Sequence, residues 1–378
     1  MEKVRLGDYI EEYSVRNKND ENLPVYSVTN TQGFCRDYFG KEVASKDKTT
    51  YKIVPKGCFA YNPSRINVGS VDWQRKEERV IVSPLYNVFA VSERLRQQYL
   101  YYYLKSNFAL QRIRSVATGS VRDNLKLEML KEFPIWLPSV EEQDAIVKKL
   151  DIVNEVINFR RQEILKLENL AQARFVEMFG DENNSKNWNV VNVEDVADVQ
   201  VGVVIKPSQY YTDESEGVRA FRSLNIGAGF IKDIDWVYFT KEGHLKNSKS
   251  ILKENDLLIV RSGAPGTACV VTEEYAGCNA VDIIIAHPDC EKVNPYYLCT
   301  FTNMPHGKKQ IDEGIGGAAQ QHFNVGKYNK LQLMLPPKTL QDEFGDFINQ
   351  VDKSKDSVQK ALDEAQLLFD SLMQQYFG

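Results

Sequence analysis

Two stretches of the chain carry apolar residues at alternating spacings of four and three positions, which is the heptad pattern of a coiled coil. These seams lie in residues 141–179 and 339–377, and all but three of their positions are apolar or aromatic. The polar exceptions are Arg160, Arg174 and Lys355. At a rise of 1.5 Å per residue each helix would span about 58 Å. Because so long a helix cannot bury its seam alone, the pattern favours pairing of the two helices; packing of each on its own globular part is the alternative.

Outside these stretches, short apolar runs alternate with turn-forming clusters. Val, Ile and Leu fill the runs at 80–82, 257–260 and 283–285, whereas Asn, Pro, Ser and Gly gather at 61–65 and 261–266. Short β-branched runs bounded by such clusters are typical of strands. The pattern predicts mostly antiparallel β domains with a few helices.

The chain also contains an internal repeat. Several residue pairs recur at a constant offset of 198 positions, namely Leu137-Pro138 with Leu335-Pro336, Gln143-Asp144 with Gln341-Asp342, and Phe179-Gly180 with Phe377-Gly378. Near the amino ends the match weakens and the offset falls to 187, so the second copy holds additional residues. We interpret the pattern as a tandem duplication of a unit of about 190 residues.

The repeat and the heptads together divide the chain into residues 1–138, 139–180, 181–336 and 337–378. We predict an α+β fold in which two tandem β-rich domains are each followed by a long helix. The two helices are expected to pair as an antiparallel coiled coil with pseudo-two-fold symmetry. A capping-box pattern at Ser139 and Glu142, and a glycine at position 180, agree with these helix limits.

The charge is divided unevenly along the chain. The 378 residues carry a net charge of -5, but residues 1–138 hold 22 Lys and Arg against 16 Asp and Glu. Residues 181–336 hold 15 against 20. A locally basic domain suits nucleic acid, whereas the acidic third segment does not favour it. With no apolar run of about 18 residues and a charged amino terminus, we expect a cytoplasmic protein without membrane contact.

Short motifs of catalysis are missing from the sequence. There is no G-K-[ST] phosphate loop, no Lys preceded two positions earlier by Asp or Glu, and no C-x-x-C pair. Asn294-Pro295-Tyr296-Tyr297 is similar to the adenine-binding loop N-P-P-[YF] of amino-methyltransferases, but its third residue differs and we interpret it as the first turn of a helix. We therefore expect no catalytic residue, bound metal or cofactor in this chain.

Polar loop residues are the candidates for DNA contact. Arg can bond guanine, Asn and Gln can bond adenine, and small residues let backbone N–H groups approach phosphates. The first repeat offers Asn30, Thr31, Tyr61, Asn62, Ser64, Arg65, Arg122 and Asn124. The second offers Arg222, Asn225, Arg261, Ser262, Gln320 and Gln321. Loss of Arg65 or Arg261 is expected to weaken DNA binding.

The whole chain resembles the specificity subunit of type I restriction-modification systems. The resemblance is carried by residues 133–143, by 331–337 with 317–321 upstream, and by 250–258 continuing to 261–263. It implies two target-recognition domains that bind the two halves of an asymmetric double-stranded DNA sequence, with the paired helices fixing the spacer. It also implies two modification subunits that use S-adenosylmethionine, and restriction subunits that use ATP and Mg. Arg160 and Arg174 are expected where those partners pack.

Two other functions remain open at this point. One is a coiled-coil scaffold or regulator whose β domains bind proteins. The other is a fused restriction or methylation enzyme, which the missing catalytic motifs disfavour.

Overall fold

The computed structural model describes residues 2–36, 47–117, 124–314 and 323–378. The chain forms two compact units. Unit 1 comprises Met1–Arg161 and Gln359–Gly378, and unit 2 comprises Gln162–Val358. Each unit therefore holds one β domain and a part of both long helices, a partition that differs from the four consecutive segments of the sequence.

Unit 1 is built on a four-stranded antiparallel sheet with the order β2-β9-β6-β7 and three two-stranded pairs, β1-β10, β3-β4 and β5-β8. The strands are β1 Glu2–Arg5, β2 Ile10–Glu12, β3 Ser27–Thr29, β4 Gly33–Cys35, β5 Lys52–Pro55, β6 Phe59–Tyr61, β7 Val71–Trp73, β8 Arg79–Val82, β9 Asn87–Val91 and β10 Pro134–Leu137. The helices that begin here are α1 Gln97–Lys105, α2 Asn107–Val116, α3 Leu127–Lys131 and α4 Val140–Phe179.

Unit 2 contains an equivalent antiparallel sheet, β12-β19-β16-β17, and a second sheet, β13-β15-β14-β18, in which β14 and β18 are parallel. The strands are β11 Asn189–Asn192, β12 Ala197–Val201, β13 Tyr211–Thr212, β14 Val218–Phe221, β15 Val237–Phe239, β16 Leu257–Val260, β17 Ala268–Val270, β18 Asn279–Ala280, β19 Ile283–Pro288 and β20 Gln332–Leu335. The helices are α5 Lys241–Lys246, α6 Pro295–Asn303, α7 Pro305–Gly314, α8 Val325–Asn329 and α9 Lys338–Phe377. The prediction of mostly antiparallel β domains is confirmed.

Strand register reproduces the duplication. In unit 1, Val4 of β1 lies opposite Ile135 of β10. In unit 2, Val191 of β11 lies opposite Leu333 of β20. The first residues of these pairs are 187 positions apart and the second are 198 apart, as in the sequence. The two offsets therefore mark one structural repeat whose second copy is longer.

The long helices begin and end where local chemistry favours it. At the start of α4 the Ser139 backbone N–H donates to Glu142 Oε2 at 2.9 Å, and the Glu142 N–H donates to Ser139 Oγ at 3.2 Å. At its end, Gly180 takes a φ of +90°, a left-handed conformation that glycine adopts without strain. The predicted capping box is confirmed.

The two helices pack antiparallel. In unit 1, Lys149 Nζ lies 3.5 Å from the Tyr376 hydroxyl, and Arg161 lies 3.4 Å from the side-chain oxygen of Gln366. Residue numbers rise along one helix as they fall along the other. All twenty predicted seam positions are buried or partly buried. The predicted helix pairing is confirmed.

Each core takes side chains from both helices. Met373 and Phe377, at the end of α9, lie in the core of unit 1. Phe175 and Phe179, at the end of α4, lie in the core of unit 2. Each β domain therefore buries the last turns of the helix that belongs to the other repeat. Among the described residues, no helix combines the length and apolar character that crossing a bilayer requires.

Candidate nucleic-acid interface

The first candidate surface is the turn that follows β6. Asn62 Oδ1 accepts from the Ser64 backbone N–H at 3.1 Å and from its hydroxyl at 3.0 Å. The Pro63 carbonyl accepts from the Leu125 N–H at 3.1 Å. Arg65 follows this braced turn, and its side chain is exposed. A fixed backbone thus presents a guanidinium to solvent, as base recognition requires.

The same turn recurs after β16 with different side chains. The Arg261 carbonyl accepts from the Phe323 N–H at 3.0 Å, and Phe323 stands 198 positions after Leu125. The Arg261 guanidinium forms an ion pair with Asp282, and its Nε donates to the Phe323 carbonyl at 3.3 Å. Only 17% of the Arg261 side chain is exposed. Arg261 therefore holds the turn in place, and the neighbouring Ser262 is partly buried.

Two of the predicted DNA contacts are buried in the structure. Tyr61 is 0% exposed, and its hydroxyl donates to the Leu125 carbonyl at 3.1 Å. Burial raises the pKa of Tyr61. Asn225 is also 0% exposed, with Oδ1 accepting from the Arg222 N–H at 2.9 Å and Nδ2 donating to the Ile234 carbonyl at 2.6 Å. Both side chains brace a loop from inside, and neither is exposed to solvent in this structure.

The remaining candidates differ in accessibility. Arg222 is partly buried and donates to the Asp235 carbonyl within its own loop. Asn30, Thr31 and Asn124 are exposed. Three further candidates lie outside the described residues, namely Arg122, Gln320 and Gln321.

Lys105 is a residue of this surface that the sequence analysis missed. Its ammonium donates to the carbonyl and to Oδ1 of Asn30, at 3.0 and 3.1 Å, and to the Gly69 carbonyl. Burial lowers its pKa to about 8, with the carboxylate of Asp72 acting in the opposite direction. A lysine at the end of an aromatic helix carries no sequence signal for such contacts.

The polar seam residues of the helices have partners within their own units. Arg174 forms ion pairs at 3.0 Å with Glu177 and, across the helix pair, with Glu343. The hydrogen bond to Glu177 is the main cause that raises the pKa of Arg174. Lys355 lies 5.6 Å from the ring centroid of Phe230, so this polar exception contacts a loop of the β domain.

An apolar stripe lies on the exposed face of α4 in unit 1. Ile152, Val156 and Phe159 are 52%, 41% and 59% exposed, and their spacing places them on one side of the helix. The guanidinium of Arg160 lies 5.9 Å from the Phe159 ring centroid. Exposed apolar groups next to an arginine are typical of protein-binding surfaces.

The motif at Asn294 has a structural role. Asn294 Oδ1 accepts from the backbone N–H groups of Tyr296 and Tyr297 at 2.9 and 3.4 Å. Helix α6 begins at Pro295, which confirms its interpretation as a helix start. The six cysteines are free thiols, of which Cys290 is exposed and the other five are buried.

The sequence matches the family model of the type I restriction modification DNA specificity domain twice, over residues 2–169 and 185–366. The MjaVIII specificity subunit of Methanocaldococcus jannaschii, a type I restriction enzyme subunit, is 23% identical over 95% of this chain and 89% of its own. The StySPI specificity subunit of Salmonella potsdam is 20% identical over 98% of this chain and 84% of its own. The MjaIX specificity subunit of M. jannaschii is 21% identical over 65% of this chain; the match spans 60% of that relative.

Solved structures show the same fold. The crystal structure of a type I restriction-modification system S subunit from M. genitalium aligns with a TM-score of 0.58 and 16% identity, covering 100% of this chain and 96% of that chain. A chain from a structure on the assembly and conformational transition of the type I R-M system aligns with a TM-score of 0.56 and 17% identity, covering 100% and 97%.

Proposed function

Because the chain belongs to the type I restriction modification DNA specificity family, we propose that it recognises a split, asymmetric DNA target and directs partner subunits to it. In this proposal each β domain binds one half of the target, and the chain itself is non-catalytic. It acts in the cytoplasm.

The observation that carries the proposal is the pair of equivalent turns. The backbone bond from Leu125 to Pro63 in unit 1 has its counterpart in the bond from Phe323 to Arg261 in unit 2. The same scaffold position thus presents Asn62-Pro63-Ser64-Arg65 in one domain and Arg261-Ser262-Gly263 in the other. Arg65 is exposed on this scaffold, whereas Arg261 holds its own turn in place. The two domains would therefore contact different bases, and the two half-sites would differ.

Unit 1 has the surface better suited to DNA. Its β domain carries an excess of basic residues, and Asn30, Thr31 and Arg65 are exposed on loops held by the sheet. Phosphate contacts respond to local charge, so the net charge of the whole chain does not oppose binding. The second β domain is acidic, and we infer that its affinity depends partly on contacts that partner subunits add.

The helix pair supports a spacer role. Each helix has 40 residues, which corresponds to about 60 Å at 1.5 Å per residue. One turn of DNA spans about 34 Å, so helices of this length could separate two half-sites by more than one turn. In this proposal the paired helices set the length of the spacer between the half-sites.

The partners follow from the same proposal. Two modification subunits with S-adenosylmethionine would methylate adenine, and restriction subunits with ATP and Mg would translocate and cleave DNA. The apolar stripe of Ile152, Val156 and Phe159 is the surface we assign to a modification subunit.

The test is co-expression with a candidate adenine methyltransferase, followed by mapping of N6-methyladenine in host DNA with the chain intact and deleted. The expected result is a methylated split motif that disappears on deletion. Unchanged methylation, together with purification of the chain as a stable assembly without DNA, would support a scaffold protein instead.

A further inference from the structure

The hairpin formed by β3 and β4 carries Asn30 and Thr31 at its tip, and strand β4 is anchored to Asp72 of β7. Asp72 Oδ2 accepts from the Phe34 backbone N–H at 3.0 Å. Gly33 has a φ of +60°, and a Cβ there would lie 2.0 Å from Asp72 Oδ2. The strand β7 therefore holds β4 through a carboxylate that only a glycine can approach so closely.

The tip of the hairpin is bound by Lys105, whereas Asp72 binds strand β4. Three oxygens surround its ammonium, two from Asn30 and one from Gly69, and an ammonium has three N–H donors. Its side chain is partly buried, the carboxylate of Asp72 opposes the lowering of its pKa by burial, and Nζ lies 5.5 Å from the Tyr101 ring centroid. The Lys105 ammonium therefore donates to carbonyl oxygens of Asn30 and Gly69 and not to a carboxylate.

Gly69 connects this contact to the turn that presents Arg65. The Gly69 N–H donates to the Ile66 carbonyl at 2.8 Å, and the Ser70 N–H donates to the Arg65 carbonyl at 3.2 Å. Gly69 has a φ of +86°, and a Cβ there would lie 2.7 Å from Asn30 Oδ1. The glycine lets the hairpin tip approach the turn, and Lys105 bonds to both.

We propose that Lys105 is a positioning residue that fixes the hairpin tip against the Arg65 turn, and so sets which bases the first β domain recognises. The inference rests on the proposed function. It names a residue that contacts no base but holds two base-contacting loops in one arrangement.

Unit 2 provides an internal control. Position 303, which is 198 residues after Lys105, is an asparagine. Its Oδ1 accepts from the backbone N–H of the strand residue Ala268 at 3.0 Å, and its Nδ2 donates to the Ala268 carbonyl at 2.9 Å. The equivalent helix end is therefore tied to a strand by a neutral side chain. Recognition by unit 2 should not depend on a titrating ammonium.

The experiment uses the full chain in complex with its methyltransferase partner, and duplexes in which either half-site is altered. Lys105→Met should reduce affinity for the correct first half-site about tenfold and weaken discrimination there, with the second half-site discriminated as before. Lys18→Met, which removes an exposed lysine of the same unit, is the matched control and should behave as wild type.

A pH profile separates positioning from a general loss of structure. The pKa of Lys105 is about 8, so first-half-site affinity should fall between about pH 7 and pH 9 relative to second-half-site affinity. Lys105→Arg keeps the charge and the donors, and should retain affinity while removing this pH dependence. If Lys105→Met does not fold, the pH profile of Lys105→Arg still tests whether Lys105 positions the hairpin tip.

The inference would be overturned if Lys105→Met discriminated the first half-site as well as wild type does. It would also be overturned if Lys105→Arg showed the same pH dependence of binding as wild type. If the wild-type complex binds no split sequence, the proposed function itself fails. If the wild-type complex binds one and substitution of Lys105 does not alter binding, only the inference about Lys105 fails.

Discussion

The ring of Phe377, in the last turn of α9, lies 5.1 Å from the ring of Tyr99 in α1. The repeat-related pair, Phe179 and Tyr297, lies at 4.7 Å in unit 2. Each phenylalanine therefore completes the core of the β domain in the other repeat. Because Phe377 is 2% exposed, Phe377→Ala should lower the free energy of unfolding of unit 1 by about 3–5 kcal/mol, measured by urea denaturation.

Phe159→Ala is the matched control for that substitution, since Phe159 is 59% exposed on α4. Its free energy of unfolding should stay within about 0.5 kcal/mol of wild type. A Phe377→Ala protein as stable as the control would show that the end of α9 does not contribute to the core of unit 1.

Gln143 links the start of α4 to the segment before α1. Its Oε1 accepts from the Arg96 N–H at 2.8 Å, and its Nε2 donates to the Arg94 and Pro138 carbonyls at 2.9 and 3.0 Å. The side chain is 0% exposed. Gln143→Met keeps the volume but leaves these buried backbone groups unpaired, so it should cost about 2–4 kcal/mol in thermal or urea unfolding.

The repeat supplies a second test of the same contact. Gln341 is 0% exposed and accepts from the Asn294 N–H at 2.9 Å. Gln341→Met should destabilise by a similar amount, whereas Gln162→Met, at an exposed position of α4, should not. A negligible cost at both buried positions would contradict a stabilising role for these amides.

Arg65 and Arg261 occupy the equivalent turns but should respond differently to removal. Arg65 is exposed, so Arg65→Ala should leave stability unchanged and weaken DNA binding by about 1–3 kcal/mol. Arg261 is paired with Asp282, so Arg261→Ala should destabilise unit 2 by about 1–2 kcal/mol. Fluorescence anisotropy with cognate duplexes and denaturation of each variant separate the two effects. Loss of affinity without loss of stability in Arg261→Ala would indicate instead that this side chain contacts DNA directly.

Asp352 gives the stability of unit 2 a defined pH dependence. Burial raises the pKa of Asp352 above its usual value near 3.8, although Lys355, at 3.6 Å, opposes this. The native state therefore holds the proton more tightly than the unfolded state, and this contribution to stability is lost as pH rises through the native pKa. Asp352→Asn removes that loss, so its stability relative to wild type should increase from about pH 4 to pH 7.

Urea denaturation at both pH values checks this prediction, with Asp346→Asn on the exposed side of α9 as the control. A stability difference between Asp352→Asn and wild type that stays constant with pH would mean that the ion pair with Lys355 cancels the effect of burial on the pKa of Asp352.

Much of the architecture follows from the sequence because it depends on periodic patterns. The heptads locate α4 and α9, and the offsets of 187 and 198 give the register of β11 against β20 once that of β1 against β10 is known. The site is less predictable, because the residues that suit DNA also suit turns. Tyr61 and Asn225 have the right chemistry for base contacts, yet they satisfy buried backbone groups. Lys105 carries no local pattern, since its three acceptors come from residues 36 or more positions away.

A substitution in the apolar stripe on α4 tests whether this surface binds the modification subunit. Ile152, Val156 and Phe159 are exposed on one face, and water must leave them when a partner docks. Phe159→Ser should therefore weaken binding of the modification subunit about tenfold or more, measured by sedimentation or calorimetric titration. Leu367→Ser, at a 72% exposed apolar position on α9, is the control and should bind as wild type. Both substitutions remove an exposed apolar side chain without changing the buried seam between the helices. If Leu367→Ser weakens binding and Phe159→Ser does not, the modification subunit therefore docks on α9 and not on α4.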